Sequence, residues 1–334
     1  MSCTLNRRCL LLGAASAAAL AAPAIGGAAG LRRTVRIGTV NPLPSATGQA
    51  CRGFAEAVAA DATLSGVLQV EVLANGVLGG ELEMTQACIN GSLDLAVTAT
   101  NVAASIVAEL GLLDAPFLFR DASHARAVLD GPIGAELAAL MKAKGMINLA
   151  WAENGLRHVT ANKPVRKPDD LHGLHIRVPQ SQVMIEAFKA LGANPEPLPF
   201  PQLFDALRTG RFEAEENPVA TVVAANFQQV QKCLSLTGHV YSAAFFIVSP
   251  DLLDDLEPAQ RTALIAAARK GAQTSRDTAS QGEHDGIVTL GKAGMTVVED
   301  VDRTALAEAA RPALDAVAKR LGADRAARIQ AFHA

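Results

Sequence analysis

From Val35 onward, short β-rich runs alternate with stretches of helical period, and this alternation limits the fold more than any other feature of the chain. Residues 35–40 (VRIGTV) read as a strand. A Pro- and Gly-containing loop follows, and then Cys51, Phe54, Ala55 and Val58 fall at helix spacing. A second strand at 67–73 ends at the turn pair Asn75-Gly76, a helix at 81–90 stops at Gly91, and a third strand covers 93–98. This rhythm predicts βαβ units, hence an α/β fold with a mainly parallel sheet flanked by helices. After two short helices, 123–129 and 133–144, come a strand at 146–151 and a second α/β set: strands 158–161 and 174–178, helix 181–191, strand 196–199, helix 202–209 and strand 212–215. Two similar lobes joined near residues 151–158 follow from this, with a strand at 243–248 returning to the first lobe. Long Ala-rich helices fill 258–292 and 303–330. The expected boundaries are 31–155 with 243–282 for lobe I, and 156–242 with 283–334 for lobe II.

Within this pattern one charge is out of place. A parallel strand covered on both faces should be almost wholly apolar, yet Leu174-His175-Ile176-Arg177-Val178-Pro179 carries an arginine one residue before the chain breaks at Val178-Pro179. That position is the carboxyl end of the strand, which opens into the crevice where open α/β sheets bind ligands. A guanidinium there presents a planar fork of donors matched to a carboxylate. An internal salt bridge holding two loops uses the same residue equally well, and spacing leaves both readings open.

The first 30 residues differ from the rest. Arg7 and Arg8 precede an uncharged Ala- and Gly-rich stretch that runs to Arg32, which is an export signal pattern with small-residue cleavage sites near Ala24 and Ala28. The paired arginines are twin-arginine-like, and ordinary secretory export stays open, as does a retained anchor. Cleavage takes the formal net charge from −3 to −5, which gives no positive field to hold nucleic acid or an anionic membrane surface. Aromatic content is only 4%, too little for stacking platforms under neutral sugars, so an ionic ligand is favoured. Cys51, Cys88 and Cys233 remain in the exported chain on apolar stretches, either as buried small hydrophobes or with one long-range disulfide.

Nucleotide-binding glycine motifs and the G-x-S-x-G serine elbow are absent from the sequence. His172 and His175 flank a Gly turn, where two imidazoles would not share a helix face, so a metal site is not expected there. Glu213, Glu215 and Glu216 form an acidic cluster, expected to be a solvated or capping stretch, with an acid/base pair or cation site as the alternative.

The phrases RIGTVNP, VLANGVLGGELEMTQACINGSLDLAV, LLDAPFLFRDASHARAVLDGPIGAEL, WAENGLRHVTANKPVRKPDDLHGLHIRVPQS, ALGANPEPLPF, EENP and VQKCLSLTGHVYS, in this order, resemble the DctP-type solute-binding subunits of tripartite ATP-independent periplasmic (TRAP) transporters. The resemblance runs from about residue 34 to residue 325. It implies a two-lobed periplasmic clamshell that captures an organic acid and delivers it to the membrane permease subunits of a TRAP transporter. It also implies that Arg177 is the principal carboxylate-binding arginine, with Arg157 a second binding-site arginine, Asn217 the pocket asparagine of the ENP motif and Phe200 a pocket aromatic. Asn41, Thr98, Thr100 and Asn101 would contribute from the first lobe. Many family members carry a His near the first loop, where this chain reads NPLPSATGQ, and an Asp-Gly where it has Glu213-Ala214. Members for 2-oxo acids often carry Trp in place of Asn217 and bind a metal beside it. Asn217 therefore matches the dicarboxylate or sugar-acid branch, with no metal or cofactor, acting as a monomer. Two other functions remain open: an exported enzyme on a small carboxylic acid with Glu216 or His158 as acid/base, and a sensor subunit reporting to a signalling partner.

Overall fold

The computed structural model describes residues 32–333, and the expected export segment, 1–30, lies outside the described residues. The first half runs β1 (Arg33–Gly38), α1 (Ala46–Ala60), β2 (Leu68–Leu73), α2 (Glu81–Ile89), β3 (Leu95–Ala99), the short α3 (Thr100–Ala103), α4 (Ala122–Asp130) and α5 (Pro132–Ala143). The second half runs β4 (Ile147–Ala161), β5 (His175–Val178), α6 (Gln182–Ala190), β6 (Asn194–Pro197), α7 (Leu203–Arg208), β7 (Ala214–Pro218), α8 (Val219–Ala224) and β8 (Cys233–Val248). The chain ends with α9 (Pro250–Asp254), α10 (Pro258–Lys292), β9 (Thr296–Val298), α11 (Arg303–Leu321) and α12 (Ala323–Ala331).

Among the described residues the nine strands share one sheet in the order β2-β1-β3-β8-β4-β7-β5-β6, with β9 on β8. Two parallel sets, β2-β1-β3 and β7-β5-β6, flank a central antiparallel pair of long strands, β8 and β4. The start of β4 pairs with the end of β8, which also pairs with β3, and the end of β4 pairs with β7. The fold is thus a mixed α/β sheet with helices packed on it. Residues 146–151 and 158–161, read from the sequence as separate strands, are one continuous β4. The register against β8 slips between Asn148 and Ala150, between Glu153 and Gly155, and between Arg157 and Val159. Gly155, at φ +126, supplies the backbone freedom for the middle slip.

Three elements differ from expectation for identifiable reasons. β8 begins at Cys233 rather than 243, because Ser235, Thr237, His239 and Ser242 are buried and hide the run from a hydrophobicity count. β6 covers Asn194–Pro197 rather than 196–199 and lies at the sheet edge, where Pro195 and Pro197 withdraw no hydrogen bond from a second neighbour. The helix expected over 303–330 breaks at Gly322, whose φ of +134 ends α11.

Buried side chains form four clusters. One packs α1, β1, β3 and the first turns of α10 around Phe54 and Phe246; another packs α7, α8 and Leu290, near the end of α10, around Phe212 and Phe227. α10 therefore contributes to the cores of both halves. It can do so because glycines face its neighbours: a Cβ on Gly271 would lie 2.5 Å from the Ala50 carbonyl oxygen and 2.7 Å from Phe246, and one on Gly282 would lie 2.8 Å from Ala220 Cβ. Cys51, Cys88 and Cys233 are free and buried, as small hydrophobes in the core. No described helix is long and apolar enough to cross a membrane. Gly271→Ala should destabilise the protein by about 1–3 kcal/mol through overpacking, read as a lower urea midpoint at unchanged m-value.

Candidate functional site

Where β3, β4, β5 and β7 end or bend toward one another, they line a small polar cavity. Arg177, Arg157, Asn217, Phe200, Asn41 and Asn101 all line it. Thr98 and Thr100, also expected at the site, do not reach it. Thr98 is fully buried with no hydrogen-bond partner for Oγ1 among the described residues, and Thr100 Oγ1 donates to the Ala243 carbonyl. Wider hollows lie between α5 and α10 and between α3 and α6, but neither brings two buried arginines together.

The two arginines differ in what surrounds them. Arg177 is 2% exposed. Its Nε and Nη2 donate to the Leu198 carbonyl at 2.8 and 2.5 Å, which is available because β6 ends at Pro197. It forms no ion pair with a described carboxylate, and Nη1 donates to no described residue. Burial lowers its pKa to about 10, and Arg157 nearby works in the same direction. A guanidinium desolvated with part of its fork unmatched is unfavourable until an anion joins it. Arg157, also 2% exposed, instead forms the internal salt bridge. Its Nε and Nη2 grip the Glu216 carboxylate at 2.5 and 2.7 Å, Nη2 reaches Asn217 Oδ1 at 3.3 Å, and Nη1 reaches Ser242 Oγ at 3.4 Å. Burial alone would lift Glu216, but Arg157 and His239 together hold its carboxyl below the usual range.

The acidic cluster is not solvated as expected. β7 runs to Pro218, so Glu215 and Glu216 lie inside a central strand at 0% exposure, and only Glu213 is exposed. Glu215 accepts from Thr160 Oγ1 at 2.6 Å and from Asn217 Nδ2 at 2.5 Å. Asn217 is thereby held at both ends of its amide. The groups an enzyme would use are engaged elsewhere: Glu216 by Arg157 and His239, and His158 by Glu283 at 2.7 Å and the Gly238 N–H, away from the cavity lining. His175 pairs with Glu196 rather than with His172.

The sequence reading missed two polar groups. Glu81, the first residue of α2, enters the cavity from the opposite half and accepts the Ala99 N–H through Oε1 at 2.9 Å. Burial raises its pKa, against the opposing Ala99 bond. Its place at a helix start after Gly79-Gly80 was legible, but its inward direction was not. Asn154, in the β4 bulge, has only long contacts, with Thr221 Oγ1 at 3.4 Å and Ser242 Oγ at 3.5 Å. Asn101 adds a buried Oδ1 with no partner among the described residues. The cavity thus has a cationic wall on one side and an acceptor-rich wall on the other. Glu216→Ala would leave Arg157 buried and unpaired, and should cost about 3–5 kcal/mol of folding stability in a denaturant titration.

Comparison with known proteins agrees with this arrangement. The sequence profile of the bacterial extracellular solute-binding proteins, family 7 (DctP), matches residues 37–321. A solute-binding protein of Verminephrobacter eiseniae is 39% identical over 295 residues, covering 88% of each chain. The 2,3-diketo-L-gulonate-binding periplasmic protein YiaO of Escherichia coli is 37% identical over 245 residues, 73% of this chain and 75% of its own. The crystal structure of a TRAP periplasmic solute-binding protein from Polaromonas sp. JS666, bound to D-erythronate, superposes with a TM-score of 0.88 at 39% identity, covering 91% of this chain and all of that one. With the profile spanning most of the described residues and relatives above 35% identity over most of their own length, the chain belongs to the DctP family of bacterial extracellular solute-binding proteins.

Proposed function

We propose that this solute-binding protein takes a small polyhydroxylated monocarboxylate, an acid of the aldonate type, with the carboxylate on Arg177 and the hydroxyls on the opposite wall. The observation that carries the reading is the unpaired, desolvated guanidinium of Arg177 facing a closed polar cavity. Arg157 supports the carboxylate from the side while its own charge is met by Glu216. Asn217, Asn41 and Phe200 shape the remaining wall. At the far end, Glu81 and the unpartnered Asn101 Oδ1 are acceptors, which suit hydroxyl donors and disfavour a second carboxylate by like-charge repulsion. Relatives give independent support: the Polaromonas protein holds D-erythronate and the Escherichia coli protein is named for 2,3-diketo-L-gulonate.

The protein acts outside the cytoplasm in this reading. Residues 1–30 are its export signal, and the loaded protein hands its acid to the membrane permease subunits of a TRAP transporter. The two halves, 31–155 with 243–282 and 156–242 with 283–334, are the lobes of a clamshell. They close by flexing at the β4 bulge around Gly155 and at the neighbouring part of β8. Closure strips water from the Arg177 fork and strengthens its pairing with the ligand.

Calorimetry on the protein lacking residues 1–30 tests this, with D-erythronate and succinate as probes. D-Erythronate should bind at least tenfold more tightly than succinate, and Glu81→Gln should narrow that gap. Arg177→Ala should lose about 2–5 kcal/mol of affinity, and Arg177→Lys should also weaken binding because the fork geometry is lost. Unchanged affinity in Arg177→Ala removes this residue from the site.

A further inference from the structure

Resting on the reading of this cavity as an anion site, we propose that the protein captures its organic anion together with one proton, and that Glu215 is the group that holds the proton. The geometry around Glu215 accommodates both protonation states without moving a heavy atom. Its Oε1 lies 2.6 Å from Thr160 Oγ1, and the same hydroxyl lies 3.3 Å from Oε1 of the buried Gln231. Gln231 directs its Nε2 to the Val230 carbonyl at 3.0 Å, so its Oε1 faces the threonine as an acceptor. A threonine hydroxyl has one hydrogen to give. With Glu215 ionised, that hydrogen goes to Glu215 Oε1. With Glu215 protonated, its O–H donates to Thr160 Oγ1, and the threonine turns its hydrogen to Gln231. Only a hydroxyl rotates, and in both states Oε2 continues to accept from Asn217 Nδ2. Asn217, a cavity residue, therefore stays in place while the charge beneath it changes.

Charge balance supplies the coupling. On the arginine wall, Arg157 and Arg177 are matched by Glu216 and an ionised Glu215, with the Glu81 carboxyl facing them across the cavity. An incoming carboxylate adds one negative charge next to Arg177, and protonation of Glu215 removes one. Burial already lifts Glu215 to about 7, with Glu216 adding to the rise and Thr160, Asn217 and Arg177 opposing it. The other titratable groups are less suited to the exchange. His239 on β8 is held toward its neutral form by burial and contacts Glu216, and burial raises the pKa of Asp114, beyond Arg157, well above its ordinary value. His158 on β4 faces Glu283 of α10, and His175 on β5 faces Glu196 of β6. Glu81 on α2 is the competing site, raised by burial across the cavity.

The sign follows from where the proton comes from. Well below pH 7 Glu215 already carries it and binding exchanges none; above pH 7 the proton must be taken from the solvent as the anion binds. Affinity therefore falls as pH rises, by roughly tenfold between pH 6 and pH 8. The test is calorimetry of D-erythronate binding at pH 6 and pH 8, each in phosphate and in Tris, so that the buffer dependence of the enthalpy counts protons. Uptake near one proton at pH 8 and near zero at pH 6 is expected. Glu215→Gln, which mimics the protonated form, should take up none, bind equally at both pH values and exceed the unmodified protein at pH 8. Infrared difference spectra of the unmodified protein with and without D-erythronate, which need no variant, should show a carboxylate band replaced by a protonated carboxyl band on loading at pH 8. Binding without proton uptake overturns the proposal. Uptake that persists in Glu215→Gln overturns the assignment to this residue and points to Glu81. Failure of a whole panel of organic acids to bind overturns the anion reading, and this proposal with it.

Discussion

The site depends on a guanidinium taken out of water and given no carboxylate of its own. Desolvation disfavours the charge of Arg177, and the one carbonyl it meets, from Leu198, leaves most of its fork unmatched. Such an arrangement raises the free energy of the empty protein, and a mobile anion that can enter relieves it. The neighbouring Arg157 shows the other solution, a fixed pair with Glu216. The contrast separates an arginine that completes the scaffold from one that the proposed function reserves for solute.

Both solutions follow from strand placement. β5 carries Arg177 at its carboxyl end, parallel to β7 on one side and to the proline-containing edge strand β6 on the other. β7 antiparallel to β4 sets Asn217 opposite His158 and Pro218 opposite Arg157, which brings Glu216 within reach of the Arg157 fork. Buried ion pairs contribute little net stability and are costly to break, so this pair defines geometry more than it adds to folding free energy.

Much of this was legible in the sequence, for physical reasons that can be named. Arg177 stood out because a charge in a run such as LHIRVP contradicts the apolar pattern of a doubly covered strand, and the helix-ending glycines Gly192 and Gly210 occupy the positive-φ positions that chemistry reserves for them. The polar stretch of β8 was hidden because a strand buried by its neighbours can carry Ser, Thr and His without alternation. Glu215 and Glu216 looked like surface residues because the sequence records their charge and not the two arginines that face them. Glu81 and Asn154 reach the cavity through the approach of distant elements, which local spacing does not encode, whereas Thr98 and Thr100 lie close to it in sequence and point away.

The glycines of α10 have a consequence of their own. This helix runs beneath both halves of the molecule, approaching the Ala50 carbonyl of α1 at Gly271 and the Ala220 and Val219 side chains of α8 at Gly282 and Gly286. In the clamshell proposed above, it would act as a leaf spring clamped at two points, with its rest curvature setting how far the jaws stand apart without solute. A single methyl group at either clamp would then reset that gap from a place remote from the solute.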